Sequence, residues 1–485
     1  MATLHVSTPD MPEHDVFDRL FQIMEHYRKT QNDGPVVAYH SPAALREKLS
    51  LGRADRPQNY DALFDWVETY LKYAVKTGHK QFWNRMWADA NLPAMIGEVI
   101  STIAHTSACT FESAPVSTEM EKYLIDEFLS LAGFHGGEGQ MTTGSSNGNL
   151  VAMMAARHLV APNAKRDGLF GTSPLVAFVN AEAHYSMDKA VNLLGIGTDN
   201  LVKVPVDDHG RMRLDALEQA ICDTKAAGKI PFFIGTTAAT TVRGAYDPVD
   251  DICTLRDRLG LGLWVHVDGA WGGTVFLSEE LSDQYLSGLD QADSFTFDFH
   301  KMHGIPMVCN FLLINNRAGI LQATVNSGND DYIFRGQDNE RPADLGALSL
   351  QCGRHVDILK LFLSWKFYGR AGFVARIERF LEKAAYAEAV VRKTPELQML
   401  VPRESFNINF TYRAPDGMDE DDLNRAIRQR LYESGTAMVG LGTLEGRISI
   451  RLLIANDAVE NADIDAFFQH VLEAGNAIIA EAATA

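Results

Sequence analysis

From about residue 120 to 315, short apolar runs rich in β-branched and aromatic residues alternate with stretches of helical periodicity. That alternation leaves few folds open: it is the βαβ rhythm of a mostly parallel sheet covered by helices on both faces. The expected strands are Leu175–Val179, Leu201–Val206, Pro231–Gly235, Leu261–Val267, Ser294–Phe297 and Val308–Ile314. Several lack clean polar–apolar alternation, as strands buried on both sides do. An open sheet of this kind binds its ligands in the crevice beyond the carboxyl ends of its strands, so chemistry is sought there.

The flanks read differently. A chain of 485 residues exceeds the size at which a single core stops growing. Residues 1–95 are mainly helical in pattern, with apolar residues three and four apart in Val16–Tyr27 and Tyr60–Ala74, and are expected to form an N-terminal arm. Residues 96–375 form the expected large domain. Residues 376–485 read as a small α+β domain: a long helix, the strand Phe406–Tyr412, the helix Glu420–Ser434 and the strand Arg447–Ile454. Val325–Gly346 is long, polar and punctuated by Gly and Pro, which predicts an extended loop.

Charge and cysteine usage exclude several functions. Forty-four Lys and Arg against 63 Asp and Glu leave a net charge of −19, which repels a nucleic-acid backbone. The N-terminus carries acids where a secretory signal has a basic start, and no run reaches the length of a membrane span, so a cytoplasmic protein without a membrane partner is expected. Cys109, Cys222, Cys253, Cys309 and Cys352 form neither a disulfide framework nor a metal knuckle; free thiols and no metal site are expected.

Four signals fall at strand ends or a helix start. Lys301, in SFTFDFHKMHG, follows an apolar strand and can offer an amine to a carbonyl as a Schiff base. Asp268 ends the strand LGLWVHVD before GAWGG, where a carboxylate meets a ring nitrogen if small residues let the ring approach. In TTGSSNGNLVAMMAAR, Ser145 and Ser146 open a helix whose N-terminus favours a phosphate. His184, after the strand ending in VNAEAHYS, can stack on a flat ring or carry a proton. Singly, each has a plain structural reading: a surface lysine, a turn cap, an N-cap, a core histidine. Their coincidence on one sheet is what points to a site.

HVDGAWGG followed by SFTFDFHKMHGIP resembles the Asp and Lys motifs of the pyridoxal-phosphate-dependent group II amino acid decarboxylases. FESAPVSTEME, LLGIGTDNLVKV, GAYDPVDDI and LQCGRHVDILKLFLSWKFYG resemble the glutamate and cysteine sulfinate decarboxylase branch, from about residue 79 onward. The resemblance implies a fold-type I transferase with a mostly parallel seven-stranded sheet, pyridoxal 5'-phosphate as cofactor, and a homodimer with sites at the interface. It implies Lys301 as the Schiff-base lysine, Asp268 on the pyridine nitrogen and His184 on the ring. Ser145 and Ser146 would hold the phosphate, with Ala270, His300 and Thr240 as further cofactor contacts and Arg451 near the substrate carboxylate. Tyr332, in DDYIFRGQD, matches the family's catalytic loop and would deliver a proton to Cα.

There are departures from the family pattern. The glycine-rich phosphate stretch is GSSNG, Ala239 replaces a glycine, Asp298 stands where Asn or Asp-like variants are usual, and Phe299 replaces the proline. In the substrate strip HKQFWNRMWADAN, which carries Asn84, Arg85 replaces a Gln and Trp87 a small residue. A narrower, more positive pocket follows, suited to a small acidic amino acid such as aspartate or cysteine sulfinate, with glutamate, the substrate of the branch it resembles, also expected. The rival readings are another reaction of the same cofactor, such as transamination or aldehyde formation, and a non-catalytic binding homologue.

Overall fold

The computed structural model describes residues 11–52, 57–326, 328, 332–334 and 343–484. Among these, twelve strands form two sheets. β1 (Phe82–Trp83) belongs to the smaller. The larger holds β2 (Glu138–Thr142), β3 (Leu175–Asn180), β4 (Leu201–Val204), β5 (Ile230–Thr237), β6 (Trp264–Gly269), β7 (Ser294–Asp298) and β8 (Asn310–Ile314). The smaller is completed by β9 (Leu397–Met399), β10 (Asn407–Tyr412), β11 (Met438–Leu444) and β12 (Arg447–Leu453).

The large sheet runs β2-β8-β7-β6-β5-β3-β4, with β3 to β7 paired in parallel and β8 antiparallel to both neighbours. Strands β3, β6, β7 and β8 are buried at every position, which explains the apolar runs of β3 and β8. The polar strand β2 was not foreseen; nor was β11, whose sequence MVGLGTL carries two glycines.

The helix Ser145–Val160 lies close against this sheet because residue 148 is glycine: a Cβ there would stand 2.3 Å from Thr296 Oγ1. Phe299 stacks on Phe128 with ring centroids 5.2 Å apart, inside a cluster that includes Phe297 and Phe311. The ring in place of the family's proline is thus a core residue behind the lysine segment.

The chain divides into two compact units. One comprises Ala90–Ala385 and Val401–Ile408 and carries the large sheet. The other runs to Asp89 and continues with Tyr386–Leu400 and Asn409–Ala485. The N-terminal helices therefore share a unit with the C-terminal lobe instead of standing alone. β1 shows why: Phe82 and Trp83 pair in parallel with Met438 and Val439 of β11. Helix caps agree with the local sequence, as where Asn59 accepts from Ala62 N before Tyr60–Tyr73 and Asp419 accepts from Asp422 N before Glu420–Ser434.

Candidate active site

The carboxyl ends of β3, β5, β6 and β7, with the start of helix Ser145–Val160, surround a cavity of about 270 Å³. Its lining includes Ser145, Ser146, His184, Asp268, Ala270, His300 and Lys301. Seven of the residues singled out in sequence therefore meet at one place, the one an open parallel sheet offers.

Lys301 lies three residues beyond β7, and its Nζ is 3.3 Å from Asp298 Oδ2. Asp298 is 2% exposed, and its Oδ1 accepts from Ser145 Oγ at 3.0 Å and from Asn310 Nδ2 at 2.7 Å. Asp268 is 3% exposed; Ala270 N donates to its Oδ1 at 3.1 Å and Asn149 Nδ2 to its Oδ2 at 2.8 Å. Cys309 N donates to His300 Nδ1 at 3.0 Å, with Cys309 O equally 3.0 Å from that nitrogen. Ser186 N donates in the same way to His184 Nδ1 at 3.3 Å. Burial pushes the His184 pKa down, against the charge of Asp268, so its ring is neutral near pH 7.

These residues fit a flat, phosphorylated pyridine. Gly144, at φ +102°, precedes the 16-residue helix, whose first backbone N–H groups suit a phosphate. A carboxylate, an amine and a neutral imidazole line the rest of the cavity. Thr237 also lines it, and its Oγ1 is a buried hydroxyl without a protein partner.

Other expectations are placed elsewhere. Thr240 does not line the cavity: its Oγ1 accepts from Ala245 N at 3.2 Å and lies 3.5 Å from Glu182 Oε2, so it shapes the turn that carries Ala239 and Thr241. Tyr332 is 75% exposed and is not among the lining residues. Residues missed in sequence are Asn149, Thr237 and Asp298. Asn149 and Thr237 sit inside ordinary helix and strand patterns, while Asp298 had registered only as a departure.

In the other unit, Asn84, Arg85 and Arg451 share a cavity of about 710 Å³ with Arg425 and Arg428. β11 pairs with β12 so that Gly440 faces Arg451, and a Cβ on Gly440 would lie 3.4 Å from both Arg451 Nε and Asn84 Oδ1. Burial, then the charge of Arg85, pushes Arg451 down to about 10. Trp87 does not line this cavity. Its ring packs on Phe82 at 5.9 Å, against the cluster of Val36, Val37 and Phe82.

Among the described residues no group of His, Cys, Asp and Glu could hold a metal, and no helix is long and apolar enough to cross a membrane. Burial pushes Cys109 to about 11 and Cys253 to about 12, far from thiolate chemistry.

Sheet order, lysine, carboxylate and anion cradle together define a pyridoxal-phosphate enzyme of fold type I. The chain belongs to the pyridoxal-dependent decarboxylases: the family model described as the pyridoxal-dependent decarboxylase conserved domain matches residues 42–413. It is 32% identical over 474 residues to glutamate decarboxylase of Drosophila melanogaster, covering 94% of this chain and 92% of the fly protein. The crystal structure of mouse CSAD superimposes with a TM-score of 0.90 at 30% identity, over 95% of this chain and 98% of that one. Oryza sativa TDC, solved with PLP and tryptamine, shares the fold with a TM-score of 0.88 at 22% identity, over 98% of this chain and 100% of that one. The protein is therefore a pyridoxal-phosphate-dependent carboxy-lyase acting on an amino acid.

Proposed function

We propose that the substrate is a small acidic L-amino acid: aspartate, cysteine sulfinate or glutamate. The observation that carries this is the pairing of Arg85 with Arg451. Two guanidiniums close enough for one to depress the other's pKa share a cavity with Arg428 and with Arg425, whose charge Asp422 offsets at 2.8 Å, and the remaining positive charge favours a bound anion. The fly glutamate decarboxylase likeness supports an acidic substrate as well.

Bound pyridoxal phosphate supplies the electron sink for the bond to the departing carboxylate. Lys301 would hold the cofactor covalently, and Asp298, 3.3 Å from its Nζ, would be the counter-ion of its protonated amine. Asp268 would pair with the ring nitrogen and His184 would cover the ring. The helix start at Gly144–Ser146 would hold the phosphate; Ala270 and the imidazole of His300 would complete the contacts. Arg85 and Arg451 bind the substrate's anionic ends, with Asn84 beside them. Tyr332 delivers the proton that Cα needs once CO2 has left.

The working form is a homodimer. Leu92, Ile96, Ile100 and Ile103 form one stripe along the helix Leu92–Ala104, each about half exposed or more, a pattern that calls for a covering partner. A panel of L-amino acids scored for CO2 and amine tests the substrate reading. Amine from the acidic members is expected; preferred turnover of aromatic or basic ones, or a keto acid or aldehyde as main product, overturns it.

A further inference from the structure

Asp268 is held from behind by a hydrogen-bonded chain through the core of the large sheet. Asn149 Nδ2 donates to Asp268 Oδ2 at 2.8 Å and to Ser186 Oγ at 2.9 Å, which uses both amide hydrogens. Asn149 Oδ1 is 2.8 Å from His266 Nε2. His266 Nδ1 is 2.7 Å from Ser294 Oγ, which receives the indole N–H of Trp264 at 2.7 Å. Asn149, His266 and Ser294 are wholly buried and Trp264 is 2% exposed, so no solvent competes for these groups.

The chain has one consistent arrangement of protons. A carboxylate only accepts, so Asn149 must turn its NH2 to Asp268 and its carbonyl to His266. That carbonyl needs a hydrogen on His266 Nε2, which leaves Nδ1 to accept the Ser294 hydroxyl proton. The Ser294 oxygen then accepts from Trp264, whose indole nitrogen can only donate. Burial drives His266 down to about 3, so the neutral tautomer required by this arrangement persists across the working pH range.

We infer that Asn149 and His266 are positioning residues for Asp268. His266 locks the flip of the Asn149 amide, and Asn149 with Ala270 N locks the rotation of the carboxylate, so the remaining lone pairs face the ring nitrogen. Were the amide to flip, its oxygen would oppose the carboxylate, and Asp268 would turn from the ring. This inference rests on the reading of Asp268 as the ring-nitrogen partner.

The test is cofactor reassociation with apoprotein, followed by its visible absorption and dissociation constant, alongside kcat and KM. His266→Phe keeps the ring's shape and removes both nitrogens; it is expected to raise the cofactor Kd and lower kcat about tenfold each while the substrate KM holds. His266→Gln, whose amide N–H reaches the place of Nε2, should return both to within about threefold of the parent. Values for His266→Phe within about twofold of the parent, or equal losses in Phe and Gln variants, overturn the inference. If His266→Phe fails to fold, Asn149→Asp decides: a second carboxylate beside Asp268 should make the cofactor Kd strongly pH-dependent, tighter at lower pH, and a Kd matching the parent's at every pH overturns the inference. Asp268→Asn runs beside them. If it too leaves the cofactor spectrum and Kd unchanged, the reading of Asp268 has failed; if it alone is affected, only the positioning roles have.

Discussion

Lys301 Nζ lies 3.3 Å from Asp298 Oδ2, and the other oxygen of that carboxylate is tied to Ser145 and Asn310. The amine is thus aimed into the cavity by a buried anchor that is itself braced on the helix carrying the anion cradle. A freely rotating lysine at a strand end would have no such fixed direction.

It follows that the purified protein is yellow and that borohydride attaches the cofactor to a single lysine. Peptide mapping should place the label on Lys301, and Lys301→Ala should abolish it. A label on any other lysine removes this residue from its role.

Specificity is expected to turn on Arg85. Arg85→Gln should lower kcat/KM for acidic substrates by about 10- to 100-fold and alter the ranking of aspartate, cysteine sulfinate and glutamate. An unchanged ranking takes Arg85 out of the substrate site. Trp87→Ser, by contrast, should appear as a stability loss of about 2 kcal/mol, because its ring packs on Phe82 away from the arginines. Chemical denaturation measures that loss.

Tyr332→Phe is expected to bind cofactor and substrate normally yet to lose amine formation, with aldehyde becoming a larger share of product. The amine-to-aldehyde ratio is the measurement. A raised KM with unchanged partitioning shows that the tyrosine only anchors its segment.

Acid should destabilise the fold through His266. Its pKa falls from 6.5 to about 3 on folding, so below pH 6.5 the unfolded chain takes up a proton that the folded chain refuses. Stability from this group is full above pH 6.5 and drains away as pH falls toward 3. Between pH 7 and 5 the loss is about 2 kcal/mol. Asp247, raised by burial to about 6, acts in the opposite sense over part of this range. The decisive quantity is therefore the difference between parent and His266→Phe in urea midpoints: the variant's acid slope should be shallower by that amount.

Association is tested by light scattering of Ile96→Asp with Ile100→Asp. The charged stripe should yield monomer, where the parent is a dimer. A parent that is monomeric and fully active contradicts the assembly.

Features that depend on neighbours along the chain were legible in the sequence. Apolar runs located β3, β5, β6 and β7 to within a few residues, and the motifs at their ends located Lys301, Asp268 and His184, because strand–turn–helix chemistry is local. The helix start at Gly144 was legible for the same reason. Tertiary structure decided what depends on residues far apart in sequence. Asn149 and Asp268 are 119 residues apart, and nothing near either announces the bond. Asp298 looked like a conservative departure until packing made it the anchor of Lys301. Thr240 matched a cofactor-contacting position and Trp87 fell as a departure in the substrate strip, yet side-chain direction sent one into a turn and the other onto Phe82. β2 and β11 escaped notice since their residues, EGQMT and MVGLGTL, acquire strand character from the partners β8 and β12 and not from their own propensity. Which side chains a backbone position aims at a ligand is set by register and close packing across the sheet, and those are contacts that periodicity along the chain does not encode.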